Sequence, residues 1–262
     1  MTESDERKRN TQLVREFFFG YLENVGEKGD IGVASFQEVF TELMPIQREK
    51  LKAISGKSFD SLFERGSFVS MAIAYKDPFI DHIDVSNESG IDYQRWNEYA
   101  REYHRINGLL NELSREMAKR FDGIPLSATI GGIISDINHV HDYFPMVISH
   151  RTVAECAGLG WRGKNQLIIH DRFSCAIRFS SAIVSLPLIR GTRIDSKCGD
   201  CTACEEACSF IKNRSILPDY RENCRRYILH LISKGIEKDI CGKCIKACYR
   251  QSIFRNGFSL SS

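Results

Sequence analysis

The stretch Lys197–Cys208, KCGDCTACEEAC, sets how the rest of the chain is read. Its cysteines, Cys198, Cys201, Cys204 and Cys208, are separated by two, two and three residues. A sparser run follows, with Cys241 and Cys244 two residues apart, Cys248 three further on, and Cys224 upstream. Eight of the ten cysteines therefore fall between Cys198 and Cys248. A reducing compartment disfavours structural disulfides, and thiols clustered this closely point to metal ligation instead.

Successive two-residue spacers let a tight loop wrap a cubane iron–sulfur cluster and aim backbone N–H groups at its sulfurs. C-x2-C-x2-C-x3-C is the spacing of bacterial ferredoxins, in which the fourth cysteine serves the other cluster of a pair. The eight cysteines divide accordingly into two 4Fe–4S sites. Cys198, Cys201, Cys204 and Cys248 form the first; Cys208, Cys224, Cys241 and Cys244 form the second. Zinc is the competing metal, but it favours paired C-x2-C knuckles over three cysteines in a row. The position after each run, where proline is usual, holds Ser209 and Tyr249. Cys156 and Cys175 lie outside the runs and read as structural core residues.

The 262-residue chain is long enough for a large core. Its N-terminus, MTESDERKRNTQ, lacks the apolar core of a secretion signal. No stretch approaches the roughly 20 apolar residues of a membrane helix. A cytoplasmic protein without a membrane partner is expected. Net charge is only +2, but Phe210–Ser262 carries eleven Lys/Arg against four Asp/Glu. That basic end suits a solvated surface, compensation of anionic clusters, or attraction to a phosphate-bearing partner.

Upstream, apolar residues at helical spacing predict helices over Asp5–Asn24 and Asp92–Phe121. DIGVAS (Asp30–Ser35), SFVSMAIAY (Ser67–Tyr75) and LSATIGGIIS (Leu126–Ser135) read as strands, the second apolar enough to be central. A short helix over Thr152–Ala157 should stop at Gly158. NQLIIH (Asn165–His170) and IRFSSAIVSLPL (Ile177–Leu188) read as two strands of a hairpin turning at Asp171–Ser174. The class is α+β, with residues 1–190 in one domain and 191–262 in a cysteine-bearing second.

Between the short helix and the hairpin, AGLGWRGKN (Ala157–Asn165) packs Gly158, Gly160, Gly163 and Lys164 into seven positions. Glycines there let backbone approach a bulky ligand, and Lys164 could meet a phosphate or carboxamide. The loop fits neither a Walker A nor a dinucleotide fingerprint. Taken with the hairpin ending in LPL and the two cysteine runs, it resembles epoxyqueuosine reductase and, more broadly, cobalamin- and iron–sulfur-dependent reductases related to reductive dehalogenases. SFVSMAIAYKDP and YAREYHRI (Tyr99–Ile106) are similar to that family's central strand and long helix.

The resemblance implies a nitroreductase-like cobalamin-binding domain followed by a ferredoxin-like domain with two 4Fe–4S clusters. Electrons would arrive from an external low-potential donor of ferredoxin or flavodoxin type. The substrate would be epoxyqueuosine in tRNA or another small molecule. Tyr103, His104, Gly158, Gly160, Trp161, Gly163, Lys164 and Asn165 would contact cobalamin. The sequence lacks the D-x-H-x-x-G histidine signature, which agrees with cobalamin bound base-off. The family's proton donor sits in a D-S-A-P stretch; DYFP is the nearest match, making Asp142 the candidate general acid. His139 and His141, alternate residues just before it, could pair on a metal or simply be structural. The family continues into a helical-repeat region, whereas this sequence stops at Ser262. An electron-transfer or corrinoid-handling protein without substrate chemistry is the alternative reading.

Overall fold

The computed structural model describes residues 2–129 and 137–251. In chain order the first elements are α1 (Glu3–Val25), β1 (Gly29–Ser35), α2 (Phe36–Glu42), α3 (Pro45–Ser55), α4 (Phe59–Arg65), β2 (Ser67–Ala74) and α5 (Asp77–Asp81). The short pair β3 (Ser86–Asn87) and β4 (Gly90–Ile91), then α6 (Tyr93–Arg120) and β5 (Ile124–Leu126), complete the first half. A 3-10 segment, Val140–Met146, leads to α7 (His150–Cys156), β6 (Trp161–Arg162), β7 (Ile168–Ile169) and β8 (Ile177–Val184). The cysteine-bearing end holds α8 (Ala203–Glu206), α9 (Ser209–Lys212), α10 (Tyr220–Ser233) and α11 (Lys243–Arg250).

The architecture is mixed α/β. Four strands form one antiparallel sheet in the order β1-β2-β8-β5. β2 is buried along its whole length, as its continuous apolar run predicts. The two-residue pleat sorts its side chains: Val69, Met71 and Ile73 face α1 and α6, while Phe68 and Ala72 face the layer built by α2, α3, α4 and α7. α6 supplies the largest contribution to the first layer, through Tyr99, Tyr103, Ile106, Leu110, Leu113 and Met117. Asp92 caps its start, accepting the Arg95 N–H at 2.9 Å. α2, α3 and α4 lie in a stretch with no strand or helix expectation.

The cysteine-bearing end shares this core. Leu231, Ile236 and Ile240 pack into the same cluster as α6. Trp96 Nε1 donates to the Cys241 carbonyl at 2.8 Å, and the Asn97 amide bridges Gly235 O and Glu237 N, both at 2.8 Å. Gly242, at φ +85°, is required where it stands, because a Cβ would lie 2.7 Å from the Tyr99 ring.

The expected hairpin does not form as a unit. β7 pairs with β6 in a separate two-stranded ribbon, whereas β8 enters the main sheet between β2 and β5. An isolated bridge, His170–Ser174, closes the turn between β7 and β8, and Ser174 adopts φ +50°. Of the strand expected over Leu126–Ser135, Leu126 belongs to β5; residues 130–135 lie outside the described residues. Among the described residues, no helix is long and apolar enough to cross a membrane.

Candidate active site

α7 ends in a Schellman turn. Gly158 adopts φ +71° and Leu159 N donates to Ala154 O at 3.0 Å. The chain then runs through the glycine-lysine loop, and the glycines there make room for backbone. A Cβ on Gly158 would lie 2.5 Å from Thr192 O, and one on Gly160 would lie 2.2 Å from Ile169 O. Trp161 is buried beneath the Lys197 ammonium, which sits 5.2 Å from its ring centre.

The loop's far end meets the cysteines. Lys164, Asn165 and Ile169 line one small cavity together with Cys198, Cys201, Cys204 and Cys248. Lys164 Nζ donates to Cys201 O at 2.9 Å, and Arg214 Nη1 donates to Lys164 O. The Cys204 thiol is pushed up to about 11, first by burial and then by the neighbouring Cys248, Glu205, Cys198 and Cys201. Of the other four cysteines, Cys224, Cys241 and Cys244 each feel neighbouring thiols. Burial raises Cys244 well above its ordinary range, with further contributions from Cys241, Cys224, Cys208 and Cys204. Burial also pushes Cys241 up to about 12 and Cys224 up to about 11, and both feel Cys208. Cys198, Cys201, Cys204 and Cys248 share one cavity, and Cys244 feels thiols of both runs.

Their spread bears on the metal. Among the described residues, the one trio of metal-capable groups with ligand atoms all within 4.8 Å is His139, His141 and Asp219. Cys198, Cys201, Cys204 and Cys248 surround one small space and could hold a metal group there. Cys175, expected as a core residue, is buried but touches this site. Its thiol lowers Cys248 to about 7 by hydrogen bonding, helped by Ser174, whose Oγ lies 3.2 Å from Cys248 Sγ. Asn165 Nδ2 reaches Cys175 Sγ at 3.6 Å.

The opposite side of the same loop lines a cavity of about 650 Å³, through Arg162, Gln166, Leu167 and Ile168. Cys175 and Ile245 also reach its wall. β8 contributes Ile177, Arg178 and Phe179; α7 contributes His150, Arg151 and Thr152; the 3-10 segment adds Tyr143 and Phe144. Five arginines line the space. Arg162 pairs with Glu155 at 2.5 Å, and Arg193 pairs with Glu38 and Glu42. Among the described residues Arg151, Arg178 and Arg221 have no carboxylate partner within 4.0 Å. Burial lowers Arg151 to about 10, and Arg162 and Arg221 add repulsion. The cavity therefore suits an anionic ligand. Its histidine, His150, has both ring nitrogens engaged, Nδ1 with Ser181 Oγ at 2.9 Å and Nε2 with Ser127 O at 2.7 Å. Burial holds it neutral, down to about 4.

The remaining expected site residues lie as follows. Tyr103 is buried beside the cavity, with the Arg178 guanidinium 4.5 Å from its ring centre. His104, next along α6, is exposed and outside the cavity wall. Asp142 is also exposed and outside that wall; its Oδ2 accepts the N–H groups of Asn138 and His139 at 3.1 and 2.9 Å. Sequence reasoning missed His150, Arg151, Arg178 and Arg221. Arg178 did leave a signal, being a charge inside an otherwise apolar strand.

Fold and site together define a mixed α/β protein in which clustered thiols and an arginine-lined cavity share one loop. The chain resembles epoxyqueuosine reductase, and its curated relatives carry that name. It is 34% identical to the Aliivibrio fischeri epoxyqueuosine reductase over 84 residues, 32% of this chain and 22% of the relative. The Staphylococcus aureus enzyme is 31% identical over 110 residues, 42% of this chain and 26% of the relative. The Pseudomonas aeruginosa enzyme is 29% identical over 132 residues, 50% of this chain and 32% of the relative. The matches thus span about a third or less of these relatives' length. Among solved structures, the Streptococcus thermophilus epoxyqueuosine reductase is 19% identical with a TM-score of 0.44, covering 80% of this chain and 55% of the other. An epoxyqueuosine reductase solved with a tRNA-Tyr epoxyqueuosine-modified stem loop is 20% identical with a TM-score of 0.41, covering 77% and 53%. No protein-family model matches the chain.

Proposed function

We propose that this chain is an oxidoreductase of the epoxyqueuosine reductase type, holding two 4Fe–4S clusters and cobalamin bound base-off. Residues 1–190 form the cobalamin-binding catalytic domain of nitroreductase type, and residues 191–262 the ferredoxin-like domain. The observation that carries this reading is the loop Gly158–Ile169, one side of which lines the cysteine cavity and the other the arginine-lined cavity. Electrons entering at the cysteines would cross this loop, Cys175 and Ile245, which reach both sides.

Cys198, Cys201, Cys204 and Cys248 would hold one cluster, and Cys208, Cys224, Cys241 and Cys244 the other. The residues fit: the thiols would lose their protons on binding and ligate iron as thiolates. The large cavity would hold cobalamin. When bound, these groups supply one-electron transfer and a strongly reducing low-valent cobalt. Arg151, Arg178 and Arg221 would hold anionic parts of the ligands. His150, with both ring nitrogens already hydrogen-bonded, would shape the cavity wall without ligating a metal. Asp142 would supply the proton, and this role requires the Val140–Met146 segment to turn its carboxylate inward. An external ferredoxin or flavodoxin would supply electrons. The substrate would be epoxyqueuosine in tRNA or a small molecule, reduced in the cytoplasm.

Turnover of epoxyqueuosine-containing tRNA by the anaerobically loaded, reduced chain tests the reaction. No conversion overturns the namesake activity. Asp142→Asn should retain both cofactors and suppress turnover, and unchanged turnover removes Asp142 from the reaction. A second reading, an electron-transfer or corrinoid-handling protein, is favoured by the exposed position of Asp142.

A further inference from the structure

The trio His139, His141 and Asp219 has no part in the proposed reaction. The two histidines begin the 3-10 segment that carries Tyr143 and Phe144 into the cavity wall, and Asp219 caps α10, the helix bearing Cys224. Asp219 Oδ2 lies 3.4 Å from Nε2 of both His139 and His141. Zinc binds imidazole nitrogen and carboxylate oxygen at about 2.0–2.2 Å, so neighbouring ligand atoms around a tetrahedral ion sit roughly 3.3–3.5 Å apart. Both separations already match that edge. The imidazoles approach from one side, their ring centres 4.6 Å apart.

The other face of the trio is open to solvent, since His141 is exposed. Glu222, 4.0 Å from His139 Nε2, is already held by Arg225 and Arg226 and is not counted as a ligand. Asp219 uses its other oxygen, Oδ1, to accept the Glu222 N–H at 3.1 Å, which fixes the carboxylate. This is the outer-sphere support expected of a ligating carboxylate. Binding has one local cost. His139 Nδ1 accepts the His141 N–H at 3.3 Å, a long contact that is given up when Nε2 takes the metal and Nδ1 takes a proton.

We infer that His139, His141 and Asp219 form a three-ligand site for a divalent cation of the zinc class, with water completing the shell, which staples the cavity wall to α10. Each imidazole binds as a neutral donor, the carboxylate as an anion, and protons carried on the imidazole Nε2 atoms leave to solvent or to Nδ1. The inference stands apart from the proposed reaction, because its ligands are in neither cysteine set.

The test uses the full chain with its iron–sulfur sites loaded anaerobically, dialysed against zinc chloride, with zinc and iron counted by mass spectrometry. The expected result is one zinc per chain beyond the iron content, lost in His141→Ala and in His139→Ala while iron is unchanged. His141 is exposed, so its replacement leaves the fold intact. Asp219→Asn keeps the helix cap and should weaken binding without abolishing it. Zinc uptake that is equal in wild type and His141→Ala overturns the proposal, as does no uptake by the wild type, or uptake only with matching loss of iron.

Discussion

The Lys164 ammonium donates to the carbonyl of Cys201 at 2.9 Å, fastening the glycine-lysine loop to the first cysteine run. That contact puts a positive charge at the wall of the Cys198, Cys201, Cys204 and Cys248 cavity. A nearby cation favours the more negative, reduced state of a cluster. Lys164→Met should leave iron content unchanged and lower the reduction potential of one cluster by on the order of tens of millivolts. Potentiometric titration followed by electron paramagnetic resonance reads this directly; an unchanged potential for both clusters separates the lysine from the redox site.

The division of the thiols makes a sharper demand. Cys204→Ala and Cys224→Ala should each reduce iron from about eight to about four per chain, and the double variant should lose nearly all of it. Were both cysteines ligands of one site, the double variant would retain about four.

Arg151 is a cavity cation with no carboxylate partner among the described residues, and its Nη1 donates to Gln166 O at 2.8 Å. Arg151→Gln should weaken the binding of a phosphate-bearing cavity ligand about tenfold, the effect of roughly 1.4 kcal/mol, with little change in iron content. Fluorescence or calorimetric titration of the loaded chain measures the affinity.

His150 gives the fold an acid sensitivity. Burial lowers its folded-state value to about 4, against about 6.5 in an unfolded chain. Between these values the unfolded chain binds the proton and the native one does not, so stability falls as pH drops from about 6.5 towards 4. The loss reaches about 3 kcal/mol at the lower end. Denaturant unfolding at a series of pH values should show this slope, and His150→Gln should flatten it at the cost of lower stability near neutrality.

Much of this was legible in the sequence, for reasons that differ between elements. The cysteine runs stood out because their spacing is local along the chain, and β2 could be read because a strand buried on both faces is apolar throughout. α6 was visible from its helical repeat. The hairpin was misread: the apolar pattern of Asn165–His170 and Ile177–Leu188 does not say which strand each will pair with, and β8 found β2 and β5. The loop glycines looked like room for a ligand, yet Gly158 and Gly160 accommodate Thr192 and Ile169 backbone, partners distant or unmarked in sequence. The cavity cations come from α7, β6, β8, α10 and the coil after β8, and no single window of sequence holds them together. Asp142, read as the candidate general acid, holds two backbone N–H groups at the start of its own 3-10 segment.

The central claim is that the arginine-lined cavity takes cobalamin beside two iron–sulfur clusters. Anaerobic reconstitution with iron and sulfide, followed by added cobalamin and counting of iron, sulfide and cobalt, tests it most directly. The account predicts about eight irons and one cobalamin per chain, the latter with the base-off spectrum. About eight irons with no retained cobalt would contradict the reductase reading and leave an electron carrier; zinc without sulfide would contradict both.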